Sequence, residues 1–161
     1  MTFIIIGYSF VLLDVFDLGG YPKDQASALK YFSKACELDN AIGCDFAGKL
    51  LTNCEPSIPA SMPRDNKLGM QYLERGCNLK DTSNKYESSE CCYSAAFFYD
   101  FGLDGIEKNV EKAIEYGIKA CKLDNVKACK LVSELYNDLG KDKESELFYR
   151  RYRMFKKQMS I

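Results

Sequence analysis

Eight cysteines are the residues of this 161-residue chain with most chemistry to offer, and no histidine accompanies them. Cys36 and Cys44 lie eight apart, as do Cys121 and Cys129. Each pair brackets a short polar turn, Leu38-Asp39-Asn40 in one and Leu123-Asp124-Asn125 in the other. If the flanking helices pack antiparallel, the two thiols face each other and close a small covalent loop. Such a loop stabilises by about 2.5 kcal/mol through the entropy of the unfolded chain. Buried reduced thiols are the alternative, since cysteine is a common small core residue. The matched placement of the pairs favours disulfides, and with them an oxidising compartment. No C-x-x-C pair occurs, so the spacing of a zinc site is missing.

A third pair is looser. Gly69, Tyr72, Gly76, Cys77 and Leu79 follow the order of Ala113, Tyr116, Ala120, Cys121 and Leu123, and Cys91-Cys92 come after a longer connection. Tyr99 lies seven residues and Gly102 ten residues after Cys92, as Phe16 and Gly19 do after Ser9. Cys92 is therefore in register, and Cys77–Cys92 is the expected third staple. Cys54 and Cys91 remain, either as thiols or paired with each other. Cys91 falls at the start of its expected helix, where the positive helix end lowers a thiol pKa, so thiol–disulfide exchange enters as a minor reading. Ser27-x-x-Lys30 matches a serine–lysine nucleophile motif, but its companion S-D-N and K-T-G motifs are absent and Ser27 sits on an exposed helix face, so chance explains it. Without histidine, the commonest general base and metal ligand is missing, and a non-enzyme with no cofactor is expected.

These cysteines have to be positioned by helices. Ala113, Tyr116 and Ala120 share one helical face, with Lys112, Glu115 and Lys119 turned to water. Ala28, Tyr31, Ala35 and Cys36 repeat that order upstream. Recurrence of a helix–turn–helix unit at a period of roughly forty residues predicts an all-α helix-pair solenoid. Helices are expected over about 25–38, from the Asn40–Gly43 turn to Asn53, and over 66–80, 90–101, 110–123, 126–139 and 141–158. Asp65 and Asn109 are the expected caps. Residues 54–63 hold three of the four prolines and read as a loop; Asp81–Ser89 reads as a long polar turn. The aromatic helix with Tyr93, Phe97, Phe98, Tyr99 and Phe101 reads as core between repeats. The last helix carries Arg150, Arg151, Arg153, Lys156 and Lys157 and no cysteine. It suits a polar cap on the array or, as the functional rival, contact with an anionic membrane or partner.

Net charge is −1 and no basic stripe runs through the chain, so nucleic acid binding has no electrostatic footprint. Phe3–Ile6 and Phe10–Leu13 resemble a signal-peptide core, but no basic residue precedes them. Asp14 and Asp17 interrupt any membrane span. Ser9–Leu18 instead has the shape of a helix preceding a staple helix, and the expectation is a truncated or mis-started copy of a longer array. No Asn-x-Ser/Thr sequon occurs, which weighs against a long secreted ectodomain.

The run from Ala28 to Asn40, Ala-x-x-Tyr-Phe-x-Lys-Ala-Cys-x-Leu-x-Asn, resembles the second-helix signature of Sel1-like repeats. Tyr21-Pro22-Lys23-Asp24 and Gly105–Asn109 resemble their inter-helix loops. The paired cysteines are similar to those of the cysteine-rich, Hcp-like branch, over about Ser9 to Gln158. Within that branch the order Lys119-Ala120-Cys121, Ala128-Cys129 and a Cys-free final helix resembles the mitochondrial cytochrome c oxidase assembly factors. The resemblance implies a right-handed solenoid of about three and a half helix pairs, one array over residues 1–161 with units near 9–40, 41–80, 88–125 and 126–158. It implies a monomeric scaffold of the mitochondrial intermembrane space whose partners are complex IV subunits or other assembly factors, with no integral membrane segment. A secreted or luminal Sel1-type adaptor is the alternative. Ser9 in place of a cysteine, the missing N-terminal portion and the proline-rich insert depart from the pattern.

Overall fold

The computed structural model describes residues 25–52, 63–79 and 85–159. The leader-like stretch, the expected helix from Ser9 to Leu18 and Cys54 with its proline-rich loop lie outside them. Seven helices account for most of the described residues: α1 (Gln25–Glu37), α2 (Ala41–Thr52), α3 (Asn66–Cys77), α4 (Lys85–Phe101), α5 (Val110–Lys122), α6 (Val126–Asp138) and α7 (Asp142–Met159). No strand occurs among them; one bridge, Leu103 with Ile106, closes the turn that joins α4 to α5. The chain is all-α, as the repeat pattern requires.

Two compact units divide it, Met1–Asn84 and Lys85–Ile161. In the first, α1 and α2 form a hairpin and α3 packs on α2. Ala28 and Phe32 of α1 meet Ala47 and Leu50 of α2, with Leu29 and Tyr72 against them. The hairpin turn puts Asp39 at φ 58°, a left-handed conformation that Asp tolerates because its short side chain can bond locally. Asn40 then caps α2, its Oδ1 accepting from Gly43 N–H at 3.0 Å. Arg75 of α3 reaches back to this turn, donating to the Asp39 carboxylate at 3.0 Å and to the Glu37 carbonyl at 3.2 Å.

In the second unit α4, α5, α6 and α7 pack in sequence. Ala113, Tyr116 and Ala120 are buried as their spacing demands, together with Gly117 and Cys121. Tyr116 stacks on Tyr99 of α4, ring centroids 5.8 Å apart. Its counterpart Tyr31 in α1 is 55% exposed instead. Phe16, the residue matched to Tyr99, lies outside the described residues. Asn109 and Asn125 cap α5 and α6, accepting from Lys112 and Ala128 N–H. The expected cap at Asp65 likewise accepts from Leu68.

One boundary departs from the sequence reading. The stretch ending at Ser89 was expected to be a turn, yet α4 begins at Lys85. Ser88 and Ser89 are buried, Ser89 Oγ donates to the Tyr86 carbonyl, and Lys85 pairs with Asp124. Tertiary burial and this ion pair outweigh the weak helix propensity of a serine-rich start. No helix among the described residues is long and apolar enough to cross a membrane.

Candidate functional site

Both eight-residue staples are formed. Cys36 is bonded to Cys44 and Cys121 to Cys129, with Cα–Cα distances of 4.6 and 4.7 Å. Each joins the end of one helix to the first turn of the next, which fixes the antiparallel hairpin. Cys77 and Cys92 are also disulfide-bonded. Cys91 stands as a thiol and is wholly buried in the second turn of α4, not at a helix N-terminus. The early start of α4 thus takes Cys91 away from the helix N-terminus that would have activated it, and burial blocks access to it. Ser27 and Lys30 are exposed on α1. Among the described residues no group of three His, Cys, Asp or Glu side chains could hold a metal ion.

The concavity that could receive a partner lies between helices of the second unit. The chain returns along α5, so α4 and α6 run in the same direction and leave a groove of about 670 Å³ between them. One wall is the aromatic stripe Tyr93, Phe97, Phe101 of α4, at i, i+4 and i+8. Expected to be core throughout, this helix has two faces. Phe98 and Tyr99 are buried, whereas Phe97 and Phe101 remain 39% and 65% exposed, their ring centroids 4.6 Å apart. The other wall is α6, with Lys127, Lys130, Leu131, Glu134 and Asp138; Tyr152 of α7 completes the lining.

Charge is sorted along this groove. Lys127, over the Tyr93 ring at 6.0 Å, and Lys130 stand towards the start of α6, where the helix end adds partial positive charge. Asp100, Glu134 and Asp138 stand towards the other end. Lys130 and Glu134 pair at 3.1 Å; the hydrogen bond to Glu134, reinforced by its charge, raises the lysine pKa. Burial, with the charges of Glu90 and Glu134, raises the Tyr93 pKa, so its hydroxyl stays a neutral donor. The groove therefore offers an aromatic wall between a cationic and an anionic end, some 16 Å apart from Lys127 to Asp138 at about 1.5 Å of helix rise per residue. Its sequence signal was present. Phe97 and Phe101 sit off the register of Cys92, Ala95, Ala96 and Tyr99.

The same positions in the first copy carry the opposite order. Cys36 and Cys44 map onto Cys121 and Cys129, and that offset maps Asp45 and Lys49 onto Lys130 and Glu134. Asp45 and Lys49 also pair, at 2.6 Å. The helix type accepts either polarity, so the polarity of the groove is not dictated by the fold.

A Sel1 repeat model matches residues 16–40, 59–81 and 89–125, just over half of the chain. No curated protein matches the sequence significantly. Among solved structures, the chain is similar to a protective antigen of uropathogenic Escherichia coli strains displaying an SLR fold, at 18% identity and TM-score 0.68, over 94% of this chain and 30% of that one. It is similar to the Helicobacter pylori cysteine rich protein B at 24% identity and TM-score 0.56, over 80% and 87% of the two chains. A Sel1 repeat protein from Oxalobacter formigenes follows at 18% identity and TM-score 0.64, over 94% and 55%. The chain thus spans about a third and about half of the first and last of these structures. At such identities the likeness concerns the fold.

Proposed function

The chain belongs to the Sel1 repeat family, and on that premise we propose that it is a disulfide-stapled adaptor that binds an extended segment of a protein partner. The observation that carries this is the groove between α4 and α6, with its aromatic wall and its sorted charges. An extended segment of about five residues covers the 16 Å between its ends. The partner segment has an acidic residue at the Lys127–Lys130 end, an aromatic or aliphatic side chain against Phe97, and a basic residue at the Asp100–Asp138 end. The staples fix the α5–α6 hairpin before the partner arrives, which lowers the ordering cost of binding. They also require an oxidising compartment.

A narrower reading follows from the resemblance in the C-terminal region: a factor of the mitochondrial intermembrane space that helps assemble respiratory complex IV. It rests on the order of Lys119-Ala120-Cys121, Ala128-Cys129 and the Cys-free α7. The adaptor reading needs only the repeat, the staples and the groove, and we prefer it. A single array over residues 1–161 is part of the proposal, on the sequence correspondence alone.

Synthetic peptides that present Asp, Phe and Lys at extended spacing test the proposal, in that order and reversed, read by fluorescence anisotropy. One order should bind, and Phe97→Ala with Phe101→Ala should weaken it by about tenfold or more, as expected for loss of aromatic anchors. Equal, salt-independent binding of both orders, or no response to the aromatic changes, would count against the groove.

A further inference from the structure

The outer face of α7 has a composition that exposure to water alone does not explain. Phe148, Tyr152 and Phe155 turn inward and are partly buried, Phe148 stacking on Tyr136 of α6 with centroids 5.8 Å apart. Helical spacing puts Leu147, Arg150, Met154 and Lys157 on the opposite stripe, with Arg153 beside it. A helix face turned only to water is ordinarily polar. Leu147 and Met154 are instead 65% and 62% exposed, one above the other at i and i+7.

Charge on this helix is as uneven as its hydrophobicity. Asp142, Glu144 and Glu146 lie in its first turns, and after Glu146 no acidic residue occurs to the end of the chain. That same stretch holds Arg150, Arg151, Arg153, Lys156 and Lys157. Arg150 is paired with Glu146 at 2.7 Å and Arg151 with Asp124 at 3.2 Å. Arg153 and Lys157 project from the outer side and are exposed. A few cations at a helix C-terminus complement its dipole. Arg151 turns inward to Asp124 and Lys156 lies over the Tyr152 ring, but Arg150, Arg153 and Lys157 interleaved with exposed Leu147 and Met154 make a basic amphipathic surface.

We propose that the outer stripe of α7 docks this protein onto an anionic phospholipid surface. The cations reach the headgroup phosphates while Leu147 and Met154 enter the interface, and the aliphatic stems of Arg153 and Lys157 lie along it. The stripe is the convex side of a single helix. A discrete acidic protein would need a shaped counterpart to cover it, whereas a fluid lipid surface conforms to it. The proposal is independent of the groove, which is walled by α4 and α6.

Co-sedimentation of the full chain with vesicles tests it, using phosphatidylcholine alone and phosphatidylcholine mixed with phosphatidylglycerol. The protein should pellet with the anionic vesicles and stay in solution with the neutral ones, and high salt should release it. Arg153→Glu with Lys157→Glu should weaken partitioning by about thirtyfold or more, from the contribution of each basic residue near such a surface. Leu147→Ser with Met154→Ser should weaken it at unchanged charge, with circular dichroism confirming that both variants stay helical. Equal recovery with the two vesicle types, or pelleting unaffected by the charge reversals, would overturn the proposal. So would tight capture of poly-glutamate by a protein that ignores the anionic vesicles, which would reassign the stripe to an acidic polypeptide.

Discussion

Cys121 and Cys129 hold α5 to α6 across a turn in which Asp124 adopts φ 67°. Replacing both with Ser removes a cross-link from the unfolded ensemble and leaves two hydroxyls at a buried seam. The expected loss is about 2–4 kcal/mol under oxidising conditions. Hydrogen exchange should show it first in α6 and α7, while α1 and α2 keep their protection, because repeat arrays are held by nearest neighbours. Reductant should reproduce the effect in the parent and leave the double variant's α6 and α7 unchanged. At this scale the sequence was informative, since a repeated Cys-x7-Cys across Asp-Asn turn chemistry leaves few other readings. The expected place of Cys91 at a helix start was wrong because the helix begins at Lys85, and Ser88 and Ser89 gave no local sign that they would be buried in it.

Pairs of helices reveal what single residues do not. The offset that relates the staples also maps Phe32 onto Gly117 and Ala47 onto Val132. In one hairpin a large residue on the first helix meets a small one on the second; in the other the order is reversed. A Cβ on Gly117 would lie 2.5 Å from Val132 Cγ2. Gly117→Ala should therefore destabilise by about 1–3 kcal/mol through overpacking. Adding Val132→Ala should recover part of that loss, giving a non-additive cycle in chemical denaturation.

Asp124 couples two further elements by accepting from Lys85 of α4 and Arg151 of α7. The Lys85 hydrogen bond is the main cause of its lowered pKa, with Arg151 adding to it. A depressed carboxylate pKa stabilises the fold above the ordinary Asp value, and that contribution is lost as pH falls through the folded value. The ion pairs are half exposed, so solvent screening keeps the term to under about 1 kcal/mol. Asn tolerates the same backbone conformation. Asp124→Asn should lower Tm slightly at pH 7, and the gap to the parent should close below about pH 4. Helix ends were otherwise legible from caps and turns to within a few residues. The long-range partners of Lys85 and Asp124, separated by 39 residues, were not.

Across the molecule, sequence identified the helix-pair repeat and its need for an oxidising compartment but not the groove proposed to bind a partner. Tyr93, Phe97 and Phe101 were read as core because an aromatic-rich helix between repeats usually is core. The off-register positions of Phe97 and Phe101 were a signal, but it took the packing to show the buried Phe98 and Tyr99 apart from the stripe that lines the groove. The polarity of the groove likewise needed α4 and α6 side by side. Whether that polarity selects a partner is the centre of the account. The first copy shows that the reversed pair Asp45–Lys49 is compatible with a stapled second helix, so Lys130→Glu with Glu134→Lys should keep the fold. The direct measurement is the affinity of this swapped protein and the parent for the two peptide orders, at matched salt. The swap sets a carboxylate at position 130 beside Lys127 and an ammonium at position 134 beside Asp100 and Asp138. The account therefore predicts that the preference for one order falls by about tenfold or more; an unchanged preference in a swapped protein with the parent's Tm would contradict it.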